Sequence, residues 1–151
     1  MALRNLRYED DEILRKKSRE VPEVDDKIRQ LLDDMADTMY ALGNGAGLAA
    51  CQVGILKRLV VIDMGDGHLM KLVNPKIIGS SGVQECLEGC LSFPDRFGKT
   101  VRPQKVIVQA LDENGEEQIL TGDGELAKCF CHEIDHLNGI VLPDRVTEWI
   151  C

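Results

Sequence analysis

Positive charge is in short supply in this chain. Its 18 Lys and Arg stand against 26 Asp and Glu, a formal net charge of −8. Nucleic acids and anionic membranes are bound by clustered cations, so direct binding to either is not expected. Also missing is any apolar run approaching the roughly 18 residues that a membrane span needs. The N-terminus, MALRNLRYEDDEIL, turns acidic at once and has no apolar secretory segment, so a cytoplasmic protein is expected. No internal repeat, low-complexity tract or obvious linker divides the sequence. Histidine is scarce, with three in all.

What is present is an ordinary globular composition, 44% hydrophobic and 29% charged over 151 residues. That length predicts one domain spanning residues 1–151. The six cysteines are expected to serve burial, catalysis or metal binding rather than disulfides, as suits a cytosolic chain. Ile28, Leu31, Leu32, Met35, Met39 and Leu42 recur at the 3.6-residue period and predict an amphipathic helix, with Asp25 as N-cap and Gly43 as stop. GNGAGLAACQVG is too rich in glycine for a regular element. RLVVID, HLMKLVNP and KIIG read as strands, and SSGVQECLEGCLSFPDRFGK as an irregular stretch. KVIVQALD and EEQILTG flank a hairpin turn at ENG. A last helix, DGELAKCFCHEIDHLNG, takes Thr121 or Asp123 as its cap and ends at Asn138-Gly139. The fold class predicted is α+β, with strands packed around this late helix.

That helix carries the chemistry. Residues three and four apart share a helix face, so Cys129, His132, Glu133 and His136 form one stripe. Leu126, Phe130, Ile134 and Leu137 form the neighbouring apolar stripe, which should face the core. H-E-x-x-H at this spacing points to two imidazoles on a metal ion and a carboxylate acting on water. Two of the three histidines fall here.

A third ligand is needed. The extended zincin pattern would place histidine at 142, where the chain has Leu142. Glu148 has no helical signal around it, and His68 sits in GDGHLM, which reads as a turn. The cysteines remain, with Cys129 crowded by its neighbours on one helix and Cys90 on a backbone free to approach. Thiolate and imidazole together suit a borderline ion such as Fe²⁺, Co²⁺ or Zn²⁺. The residues favour a cysteine without choosing between the two.

Three stretches, GAGLAACQ (45–52), EGCLS (88–92) and HEIDHL (132–137), resemble the three motifs of the peptide deformylases in order and separation. The resemblance implies an α+β enzyme that removes the formyl group from the N-terminal methionine of nascent polypeptides and releases formate. It implies Fe²⁺ as the usual ion, with Zn²⁺, Ni²⁺ or Co²⁺ able to substitute. Cys90, His132 and His136 become the expected ligands. Glu133 becomes the acid–base, and the Gln52 side-chain amide and Leu91 backbone N–H become donors to the developing oxyanion. Gly45, Ala46, Gly47, Glu88, Gly89 and Cys129 are expected to line the substrate site, the glycines by letting substrate backbone come close.

Two positions depart from the family pattern. Ala46 stands where Ile or Val is common, and Cys131 where Gln is common. Transient ribosome contact is implied as well, but the long C-terminal helix that some members use for it does not follow His136. Two rival readings are a metallopeptidase with the same H-E-x-x-H chemistry, and a closed structural zinc site built from Cys86, Cys90, Cys129 and the histidines.

Overall fold

The computed structural model describes residues 3–43 and 46–150. Helix α1 (Asp26–Leu42) begins as the sequence predicts, with the Asp25 side chain accepting from the Ile28 N–H. It ends at Gly43, whose φ of 78° is left-handed. Strands β1 (Gly47–Ala49), β2 (Leu59–Ile62), β3 (Met70–Ser81), β6 (Lys105–Leu111) and β7 (Glu117–Asp123) make an antiparallel sheet in the order β1-β2-β3-β6-β7. Strands β4 (Gln84–Cys90), β5 (Phe93–Arg102) and β8 (Glu148–Trp149) make a second sheet. Helix α2 (Glu125–Leu137) follows β7 directly, and a short helix α3 (Leu142–Arg145) comes next.

The larger sheet lies between the two long helices. All four residues of β2 are fully buried, and they alternate between two clusters. Val60 and Ile62 pack with Phe130, Ile134 and Leu137 of α2. Leu59 and Val61 pack with Leu32, Met35 and Met39 of α1. The unbroken apolar run LVVI is thus the mark of a strand covered on both faces. The α+β expectation holds, and the apolar stripe of α2 faces the core as predicted.

Four local expectations are corrected. The stretch 80–99 is not irregular, because most of it forms the β4–β5 hairpin. The hairpin's buried positions include Glu88, Thr100 and Arg102 beside Cys86 and Phe93, while Leu87, Phe97 and Val101 are exposed, so no clean hydrophobic alternation announces its strands. The stretch 47–53 is regular too, with β1 paired to β2 and a 3₁₀ turn at Ala50–Val53. HLMKLVNP from Met70 onward and KIIG belong to one strand, β3, irregular around Asn74, whose φ is 52°. The Asn74 amide holds the chain before α1 by accepting from the Val21 N–H and donating to the Val21 carbonyl. Finally, neither Thr121 nor Asp123 caps α2. Both lie in β7, and Gly124 stands at the cap position between strand and helix, its φ of 58° making the turn without a loop.

Phe130 anchors α2. It is fully buried, and a Cβ built on Gly122 would lie 2.9 Å from its ring. Phe130→Ala should therefore cost about 3–5 kcal/mol of stability. A urea titration followed by circular dichroism should show the midpoint falling at an unchanged slope.

Candidate metal centre

Three donors converge where β4 meets α2. His132 and His136 sit one turn apart, with ring centroids 5.0 Å from each other. Cys90 closes β4 at a register shift beside Gly89, which swings its Sγ to 3.4 Å from His136 Nε2. The ligand atoms of Cys90, His132 and His136 all lie within 4.8 Å of one another. Among the described residues neither Cys86 nor Cys129 joins this group, and His68 is exposed. Cys129 is buried, and burial followed by the charge of Glu133 pushes its thiol well above the usual range. It is held as a neutral thiol.

The donor set fits a divalent ion. Two imidazoles and one thiolate suit the borderline metals and leave a tetrahedral position open. His136 is kept neutral, as a ligand must be, by burial and then by the neighbouring charge of His132. At His132 burial also works downward, but the Cys90 and Glu88 contacts outweigh it and raise the pKa. Surroundings that favour a proton there equally favour a metal cation in its place.

Glu88 holds the arrangement. Its carboxylate is fully enclosed and accepts from four partners: Thr100 Oγ1, Arg102 Nε at 2.7 Å, Arg102 Nη2 at 2.9 Å and His132 Nδ1 at 2.9 Å. Burial alone would raise its pKa, but Arg102 and His132 reverse this and hold it well below the usual carboxylate range. Four bonds fill the lone-pair sites of a carboxylate. Glu88 also lines the cleft, and with its acceptor sites filled its bonds fix the orientation of His132. Arg102 in turn donates to Asp135 at 2.6 Å.

Glu133 is different. It is almost entirely buried, yet its Oε1 has no hydrogen-bond partner among the described residues. Burial pushes its pKa up to about 7. Across the site, Gln52 Oε1 accepts from the Ala49 N–H at 3.0 Å. That bond turns the amide NH₂ inward, where it donates to Ser92 Oγ at 3.1 Å and approaches Cys90 Sγ at 3.7 Å. Leu91 follows at the β4–β5 turn. A cleft of about 340 Å³ opens beside these groups, and Ala46, Gly47, Gln52, Gly89, Cys90, Leu91, Cys129 and Glu133 line it.

The glycines have a more immediate cause than substrate approach. A Cβ on Gly47 would stand 2.8 Å from Glu133 Oε2 and 3.1 Å from Cys129 Sγ. On Gly89 it would stand 2.7 Å from the Phe97 ring. Each glycine makes room for a side chain of the site itself. Gly45 and Cys151 lie outside the described residues. Cys131 packs in the core beneath α2, and burial raises its thiol to about 11.

The model of the family described as "Polypeptide deformylase" matches residues 3–149. The chain belongs to the polypeptide deformylase family. It is 64% identical over 150 residues to peptide deformylase 2 of Clostridium acetobutylicum, covering 99% of each chain. It is 54% identical to a peptide deformylase of Acetivibrio thermocellus, over 99% of this chain and 87% of that one. The fold superposes on a peptide deformylase of Synechococcus elongatus in complex with actinonin at a TM-score of 0.92. That match has 44% identity and covers 96% of this chain and 79% of the other. The Thermotoga maritima deformylase superposes at 0.93 with 35% identity, over 97% and 99% of the two chains.

Sequence reading missed Arg102, Thr100, Ser92, Phe97 and Asp135. Ser92 and Phe97 lie in the stretch read as irregular, Thr100 and Arg102 follow it on strand β5, and Arg102 is a buried cation whose role depends on strand register. Asp135 was in view inside HEIDHL, yet helical spacing sets it off the metal stripe.

Gly47→Ala should slow turnover sharply by pushing the Glu133 carboxylate from its place, while the ligand atoms stay put. Steady-state kinetics beside metal content by emission spectroscopy would read this. Equal kcat at equal metal content would mean that the carboxylate has room to spare.

Proposed function

We propose that residues 1–151 act as one metal-dependent catalytic domain. It hydrolyses the formyl amide of N-formylmethionyl polypeptides and releases formate. The observation that carries this reading is the buried, unpartnered Glu133 Oε1 with three convergent donors, Cys90, His132 and His136, of which Cys90 and His132 line an open cleft with Glu133. We assign Fe²⁺ as the native ion, with Zn²⁺, Ni²⁺ or Co²⁺ as substitutes; thiolate and imidazole suit each of them. Bound there, such an ion supplies Lewis-acid chemistry that makes hydroxide available near neutral pH.

The protein's own groups do the rest. Glu133 takes a proton from the attacking water. The bond from that oxygen to the formyl carbon forms as the carbonyl oxygen gains charge. Gln52 Nε2 and the Leu91 N–H donate to that oxygen, and loss of one such donor typically costs about 10²–10³ in rate. The carbon–nitrogen bond then breaks, and Glu133 passes its proton to the departing amine. Gln52 is suited to its part because the Ala49 N–H fixes which end of the amide faces the site. The methionine side chain would lie in the cleft near Ala46, Phe97 and Cys129. Substrates of this kind place the enzyme in the cytoplasm, in transient contact with the ribosome. No described helix is long and apolar enough to cross a membrane.

Glu133→Gln keeps shape and removes the base. It should retain metal and slow formate release from a formyl-Met dipeptide at least about a thousandfold, within the range of acid–base contributions. Near-normal kcat in that metal-replete variant would sink the mechanism.

Cys90→Ala should lose the metal while Cys86→Ala keeps it. Full metal occupancy of Cys90→Ala by emission spectroscopy would remove the thiolate from the site.

A further inference from the structure

We propose that Asp135 and Arg145 are positioning residues for the metal centre, acting on His132 through Arg102 and Glu88. The proposal rests on the reading of His132 as a ligand and extends it to the protein surface. Arg145, at the end of α3, grips Asp135 with two arms, Nε to Oδ2 at 3.0 Å and Nη2 to Oδ1 at 3.1 Å. Asp135 accepts in addition from Arg102 Nη1 at 2.6 Å. Arg102 then forks onto Glu88, and Glu88 accepts from His132 Nδ1. Charges alternate along the line, and side-chain exposure falls inward from 45% at Arg145 to 14%, 4% and 2%.

Each link has a physical task. The fork onto Glu88 leaves Arg102 Nη1 as a buried donor, which would be costly without Asp135. But Asp135 also competes with Glu88 for one guanidinium. Arg145 engages both Asp135 oxygens and supplies the balancing positive charge, so Arg102 stays committed to Glu88. Glu88 can then keep its full acceptor strength for His132 Nδ1–H, which sets the ring's orientation and basicity as a ligand. An exposed ion pair on its own adds little to stability. If Arg145 served only to staple α3, metal affinity would not feel its loss.

The test is Co²⁺ affinity of the apoprotein, measured by competition with a chromophoric chelator, alongside the apoprotein melting temperature. Asp135→Asn should weaken Co²⁺ binding about tenfold, the lower end for an outer partner of a metal ligand. Arg145→Gln should weaken it about threefold with the apo melting temperature unchanged, and Arg145→Lys, which keeps charge but loses the fork, should fall between it and wild type. The double variant should match Asp135→Asn, because Arg145 acts only through Asp135. Both single variants binding within about twofold of wild type would overturn the relay, whatever their melting temperatures. So would a double variant clearly weaker than Asp135→Asn. Wild-type apoprotein that takes up no Co²⁺ would overturn the metal reading and the relay with it.

Discussion

The enclosed carboxylate of Glu88 is the constraint on which the site depends. It ties β4 to β5 through Thr100 and Arg102, and ties both strands to α2 through His132. A charge so fully buried is tolerable only with its partners in place, since losing one leaves an uncompensated ion in a low dielectric. The small sheet therefore has one permitted position against α2, the position that brings Cys90 to the histidines. Few purely apolar contacts could be as exacting, because they tolerate sliding that a four-bond carboxylate does not.

Helix α2 serves two surroundings at once. Phe130, Ile134 and Leu137 are buried against the larger sheet, and His132, Glu133 and His136 lie at the boundary with the smaller one. Packing on the far face by α1 makes the larger sheet a rigid support, so the metal face of α2 rests on a close-packed core rather than on a loop. The same closeness explains the glycines. Gly47 and Gly89 are sites where a methyl group would strike Glu133 or Phe97. In this protein the missing side chains shape the placement of the Glu133 carboxylate and the cleft wall as much as the side chains that are present.

What lies within one helical turn was legible in the sequence. The 3.6-residue stripe of α1, its Asp25 cap and Gly43 stop, and the shared face of His132, Glu133 and His136 follow from local geometry that needs no partner. The buried run of β2 was legible as a strand, though not as one covered on both sides. The β4–β5 hairpin was hidden because Glu88, Thr100 and Arg102 point inward while Leu87, Phe97 and Val101 point outward, which breaks the usual alternation. Residue chemistry left Cys90 and Cys129 as open alternatives, and resemblance to a family pointed to Cys90.

Tertiary structure decided the contacts between residues distant in sequence. Cys90 and His136 are 46 positions apart, and Glu88 and His132 are 44. Their meeting depends on strand register, on the shift at Gly89–Cys90 and on the angle at which α2 crosses the sheets. For the same reason Glu88, a residue of the cleft lining, is also an internal support bonded to Thr100, Arg102 and His132. A sequence shows that a carboxylate is available, but only the fold determines how many of its lone pairs are already taken.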